Sequence, residues 1–165
     1  MTKNEWIYLF QYNKWTLGYI KTSEKDSSLC FFLIPKGFVA PSGVKVKVIG
    51  TGSGSSATYV EDILESSYAG NSYTTEQFAS LEKLGVVALP CGGQRSGASV
   101  SDIGLSGYYW SSRCCISSTI GSSFYFKSSF VRSASEYSFS SRLEIWSDAL
   151  RSSYGLSVRL VQNVQ

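Results

Sequence analysis

The sequence predicts one α+β domain, ordered as helix, strands, helix and then a long sheet-and-loop half. Three observations carry this. At 165 residues and 18.1 kDa the chain has the size of a single domain with one core. Helical spacing of apolar residues occurs twice, in residues 4–12 and 73–84, both before Pro90. After Pro90 the chain is glycine, serine and aromatic residues with short strand signals, a composition that needs a folded scaffold behind it.

Each element follows from its residues. In residues 4–12, Trp6, Leu9 and Phe10 give one apolar helical face, with Asn13 at the same spacing. Residues 15–20 read as a short strand after a turn. The apolar run 29–34 ends at Pro35-Lys36-Gly37, which predicts a buried strand and a turn. Val44, Val46 and Val48 alternate with Lys45 and Lys47, so the valines are expected on the core face of a strand and the lysines in water. Residues 50–56 form a Gly/Ser tract that lacks the Gly-Lys-Ser/Thr ending of a phosphate loop and reads as a surface loop. In residues 73–84, Thr74 with Gln77 fits a capping box, Phe78 and Leu81 pack inward, and Gly85 suits a left-handed helix end. Residues 86–90 read as a core strand, and 108–110 and 157–161 as the best strands of the second half.

Composition excludes several classes of chemistry. There is no histidine, which removes histidine-based triads and histidine-ligated metals. The cysteines, Cys30, Cys91, Cys114 and Cys115, have neither zinc-site nor disulfide-scaffold spacing. Cys30 reads as a small hydrophobe beside Phe31. Glu61, Asp62 and Glu65 are close enough to share a helical turn and read as a solvated face. The net charge of +3 is too small for nucleic-acid binding without a cluster. Lys45 and Lys47 are the nearest to one. No apolar run reaches membrane-spanning length, and the first residues lead into an amphipathic segment rather than a signal peptide. No cofactor, metal or catalytic residue is expected, and the chain reads as a non-enzyme.

Two framework-like ends, residues 107–112 and 155–161, enclose the segment 113–154. Its side chains show neither a steady helical period nor a long alternation, which suggests a surface that presents residues to a partner. The candidate ligand-binding residues are Arg113, Cys114, Cys115, Ile116, Phe124, Phe126, Phe130, Leu143, Trp146, Leu150 and Tyr154. Aromatic residues and arginine are the expected hot spots, because they bury much area and also hydrogen-bond. The segment carries Arg113, Lys127, Arg132, Arg142 and Arg151 against Glu136, Glu144 and Asp148, too few cations for backbone-driven nucleic-acid affinity.

These residues also resemble a family. Glu5-Trp6-x-Tyr8-Leu9-Phe10, Gly18-Tyr19, Phe32-Leu33-Ile34-Pro35-x-Gly37-Phe38, Leu89-Pro90-x-Gly92-Gly93-x-Arg95, Gly107-Tyr108-Tyr109-Trp110-Ser111-Ser112 and Gly155-x-Ser157-Val158-Arg159-Leu160-Val161 are similar to C-type-lectin-fold modules of gut Bacteroidetes and their phages. That group includes the variable proteins of diversity-generating retroelements. The resemblance covers nearly the whole chain. It implies a single C-type-lectin-like domain over residues 1–165, with two helices, a twisted antiparallel sheet and a loop-rich C-terminal half. Trp110 and residues 155–160 would be fixed scaffold, Trp110 mostly buried and Val158 and Leu160 facing the core. Residues 113–154 would be the displayed, hypervariable face. Two features depart from the pattern: the chain starts almost at the first helix, without the usual opening strand, and residues 124–133 lengthen the segment.

The resemblance further implies a ligand-binding display protein on a phage tail or bacterial cell surface, recognising a protein or glycan on a bacterial surface; binding is expected to be metal-independent, because no carboxylate cluster converges with the displayed segment. Adenine mutagenesis of AAC or AAT codons reaches every residue type in 113–154 except those of Lys127, Glu136, Glu144 and Trp146, in keeping with that reading. A structural adhesin or pilus-associated module with a fixed interface is the alternative. A formylglycine-generating-type enzyme is a remote one, since Arg113 offers Cys114 and Cys115 a charge but no base.

Overall fold

The computed structural model describes residues 5, 8, 9, 12–51, 60–114, 120–132, 139–151 and 154–156. Its strands are β1 (Lys14–Lys21), β2 (Ser27–Ile34), β3 (Gly50–Thr51), β4 (Val60–Leu64), β5 (Ser72–Thr74), β6 (Val87–Pro90), β7 (Gln94–Ser96), β8 (Ser99–Ser101), β9 (Ser106–Cys114), β10 (Ile120–Arg132), β11 (Phe139–Arg151) and β12 (Tyr154–Gly155). One helix, α1 (Thr75–Glu82), lies between β5 and β6. The strands form three open sheets: β3-β1-β2-β6 with β5 also on β1, β4-β11-β10-β9, and β12-β7-β8.

The first sheet is built on β1 and β2, paired antiparallel from Lys14↔Ile34 to Lys21↔Ser27. β2 is buried at every position from Leu29 onward, because the sheet is covered on both faces. Leu29, Phe31 and Leu33 join Trp15, Leu17, Tyr68, Leu89 and Tyr109 in one core. Cys30 and Phe32 join Tyr73, Leu81 and Val86 in a second core under α1. Cys30 therefore packs as a small hydrophobe, and burial pushes its thiol up to about 12.

The helix begins and ends as its residues dictate. Thr74 caps it: the Gln77 N–H donates to the Thr74 hydroxyl at 3.2 Å, and the Thr74 N–H donates to Gln77 Oε1 at 3.0 Å. At the other end Gly85 adopts φ +86°, its N–H bonds the Glu82 carbonyl, and the Val86 N–H bonds the Leu81 carbonyl. That pair of bonds is a Schellman closure, and Val86 and Leu81 supply its apolar contact in the second core.

The two-helix, single-sheet architecture is corrected here. Helical backbone is described at Glu5, Tyr8, Leu9 and Tyr12. Among the described residues, however, Thr75–Glu82 is the one continuous α-helix, and no sheet closes or curls. The long strands β10 and β11 pair with β9 and β4 instead of extending the first sheet. The valine alternation at 44–48 is corrected too. Val44 and Val46 pack on the second core and Lys45 and Lys47 are exposed, but Val48 is exposed as well and the segment joins no strand ladder. Glu61 and Asp62 lie in β4 and Glu65 opens a 3-10 turn, so the three acids share no helical turn. Residues 157–161 lie outside the described residues, as does the side chain of Trp110.

Candidate functional site

The most connected polar group in the described core is Asn71, 1% exposed. Its Nδ2 donates to Thr16 Oγ1 at 2.7 Å, to the Leu17 carbonyl at 3.0 Å and to the Lys47 carbonyl at 2.9 Å. Its Oδ1 accepts from the Lys47 N–H at 2.8 Å and from the Tyr73 hydroxyl at 3.3 Å. Its backbone carbonyl accepts from the Tyr19 N–H at 2.7 Å. The side-chain amide thus acts as a peptide group. It seals the outer edge of β1 between β3 and β5, and it holds the extended 44–48 segment that no strand pairs. Gly18 is required opposite it: a Cβ there would run into the Asn71 carbonyl and lie 2.8 Å from Asn71 Cβ. This constellation is buried, saturated with bonds, and structural in character. Sequence reading missed it, although Gly70-Asn71 ahead of a strand marks a turn whose amide can bond backbone.

A second set of polar contacts joins the sheets. The Tyr109 hydroxyl donates to the Pro90 carbonyl at 2.8 Å, fixing β9 over β6. The Tyr108 hydroxyl donates to Asp102 Oδ2 at 3.2 Å. Tyr19 donates to Glu65 Oε1 at 2.9 Å, and burial first, then that carboxylate, holds its phenol protonated well above the ordinary range. None of these groups is arranged as nucleophile and base. Among the described residues no three of His, Cys, Asp and Glu gather in a way that could hold a metal.

The expected ligand-binding residues fall on the second sheet. β10 and β11 pair without interruption over thirteen positions, from Ile120↔Arg151 to Arg132↔Phe139. β9 flanks β10 only as far as Lys127, and β4 flanks β11 at residues 140–143. Because partners directly across an antiparallel ladder share a face, the register sorts the candidates. Phe124 is opposite Tyr109, whose ring is 3% exposed in the first core. Positions 124, 126, 130 and 143 share that face, so Phe124, Phe126, Phe130 and Leu143 stand on the Tyr109 side. Trp146, opposite Tyr125, and Leu150, opposite Gly121, stand at positions of the other face. Cys114 is opposite Gly121, in the same row as Leu150 and beyond an irregularity in the β9–β10 register. Arg113 precedes it in β9. Tyr154 belongs to a different sheet, opposite Ser96 of β7. Cys115 and Ile116 lie outside the described residues. By register, the described candidate positions are divided between two faces of the ladder and two sheets.

No family model, curated protein or solved structure matches the chain. With one continuous helix and open sheets, this overturns the resemblance to C-type-lectin-fold modules, and the retroelement, phage-tail and adhesin attributes it carried have no support from these comparisons. Among the described residues no helix is long and apolar enough to cross a membrane.

Proposed function

We propose that the chain is a binding module without catalysis, and that its contact surface is the β10–β11 ladder on the face opposite Tyr109. The observation that supports this is the register. On the Tyr109 side, the ladder positions hold Ile120, Phe124, Phe126, Phe130, Phe139, Leu143 and Ile145, in continuity with a core residue, with Arg132 and Arg151 at the two ends and serines at 122, 128, 141 and 147. On the other side they hold Tyr125, Lys127, Val131, Arg142, Glu144, Trp146, Asp148 and Leu150, with serines at 123, 129 and 140, and the β9 residue opposite Tyr125 is the buried Tyr108. A face that mixes aromatic residues, charges of both signs and small hydroxyls is the composition of a recognition surface rather than of a core. Its mixed charge argues for a protein or glycan partner over nucleic acid.

The test is a panel of bacterial surface proteins and glycans, presented to the native chain with and without EDTA. Binding is expected to persist in EDTA and to weaken at least tenfold on Trp146→Ala, a hot-spot loss of about 1.4 kcal/mol or more. Binding that vanishes with EDTA, or that ignores substitutions at 125, 142, 144 and 146, would remove the reading.

A further inference from the structure

Two exposed apolar features lie outside the hairpin, and they are complementary. The first is a turn after β8. Asp102 sits at φ +60° and Gly104 at φ +73°. The Leu105 and Ser106 N–H groups both donate to the Asp102 carbonyl at 3.0 Å, and the Gly104 N–H donates to the Cys91 carbonyl at 2.7 Å. The turn is thus fixed to the scaffold, and it carries Ile103, 67% exposed, next to the Asp102 carboxyl, with Val100 also exposed. The second is an open groove of about 350 Å³, lined by Pro35, Lys36, Gly37, Phe38, Val39 and Leu84. Val39 is 79% exposed there, and the single charged lining residue is a lysine. The groove is built from well-fixed parts: the Phe38 N–H closes the turn on the Pro35 carbonyl at 3.1 Å, and a Cβ at Gly85 would lie 3.4 Å from Pro35 Cγ.

One chain cannot join these features to each other. The groove lies beyond Ile34, at the end of β2. The Ile103 turn is bonded to Cys91, whose N–H donates to the carbonyl of Leu29, where the buried run of β2 begins. Five residues of strand separate the two ends, about 17 Å at ~3.4 Å per residue. An apolar knob with a carboxylate beside it lies at one end of β2, and an apolar groove with a lysine in its lining lies at the other.

We propose that the Ile103 turn of one copy docks in the Pro35–Leu84 groove of the next, with Asp102 near Lys36, so that the chain associates head to tail. The contact joins two different patches, which makes it heterologous and able to propagate. It is independent of the hairpin surface proposed above. Its area is small, so association is weak and concentration-dependent.

The experiment is light scattering or sedimentation on the whole chain across a concentration series. The wild-type mass rises from 18.1 kDa with concentration. Ile103→Asp spoils the knob and keeps the groove, whereas Leu84→Asp spoils the groove and keeps the knob. Both positions are exposed, so neither change disturbs a core. Each variant alone stays monomeric, while the mixture forms a one-to-one dimer and stops there, because its outer ends are the two spoiled patches. Lys36→Glu raises the concentration needed by about two- to fivefold, the range of an exposed ion pair. A wild-type mass that stays at one chain throughout would overturn the proposal. So would an associating wild type whose mixed variants remain monomeric.

Discussion

β2 and β10 both run through the middle of their sheets, each paired on two sides. β2 carries six consecutive buried residues from Leu29 to Ile34, whereas β10 carries serine at positions 122, 123, 128 and 129 among its aromatics. The difference follows from the number of cores. β2 is buried by one core on each face and therefore reads as an unbroken apolar run. β10 meets the first core at the Tyr109 position, and Phe124, Phe126 and Phe130 share that face of the ladder while Tyr125, opposite the buried Tyr108, and Val131 stand at positions of the other. The first region also contains its own polar solution to a missing strand, the Asn71 amide, while in the second the backbone ladder runs uninterrupted.

The largest expected effect tests the first region. Asn71→Ala leaves the Lys47 N–H and the Leu17 and Lys47 carbonyls without their amide partner. The two carbonyls keep one donor between them, the Thr16 hydroxyl, so one carbonyl and the Lys47 N–H are stranded, and at ~1–3 kcal/mol each a loss of about 4 kcal/mol is expected. Urea denaturation of the variant measures it. A loss below about 1 kcal/mol would show that the 44–48 segment is held by something else.

The next effect tests the face assignment in the second region. Phe124→Ala, at the Tyr109 side, is expected to cost about 3 kcal/mol, as a core aromatic does. Trp146→Ala, at the other side, is expected to change stability by less than about 1 kcal/mol and to act on binding instead. Equal losses at the two sites would merge the faces and return the hairpin to the status of a core.

Legibility follows the same division. The run 29–34, the Thr74–Gln77 box and Gly85 were readable because each signal is local and complete within a few residues. At 44–48, period two predicts the burial of Val44 and Val46 but not the exposure of Val48, and a side chain more than twenty residues away supplies the partner that a strand would have had. The candidate ligand residues were legible as types and not as a surface. Lys127 and Glu144 become neighbours, and Phe124 and Trp146 part, only once the cross-strand register is known. Serines at four of the thirteen positions of β10 and three of the thirteen of β11 hide the alternation from a single strand, since serine is tolerated on either face. The resemblance to a known fold failed for a related reason: short motifs such as Gly107-Tyr108-Tyr109 specify a strand but not which sheet it joins.

Gly18 sharpens the first region at lower amplitude. Gly18→Ala drives a methyl group against the Asn71 backbone, which must shift by a few tenths of an ångström or more. A destabilisation of about 2 kcal/mol is expected, typical of overpacking. The double variant with Asn71→Ala should cost clearly less than the sum of the two, because the residues touch. Thr74→Ala removes the cap of α1 and should cost about 1 kcal/mol, read from the same denaturation curves.

The smallest effect is silent at neutral pH and separates the regions by titration. Cys30 and Tyr73 lie in the second core, beneath α1, and burial raises both, from 9.0 to about 12 for the thiol and from 10.0 to about 12 for the phenol. Each group is neutral when protonated. In the unfolded chain they release their protons near the ordinary values, while the folded chain keeps them. Their contribution to stability is therefore complete below pH 9, declines as pH rises through that window, and is lost by about pH 12. Cys30→Ala removes the earlier component, so the alkaline decline should begin nearer pH 10 than pH 9, whatever the variant costs at neutral pH. Denaturation midpoints measured at several pH values report the slope directly. An unchanged onset in Cys30→Ala would mean that the thiol titrates normally in the folded chain, and that the second core admits water where the structure packs Cys30 against Tyr73 and Leu81.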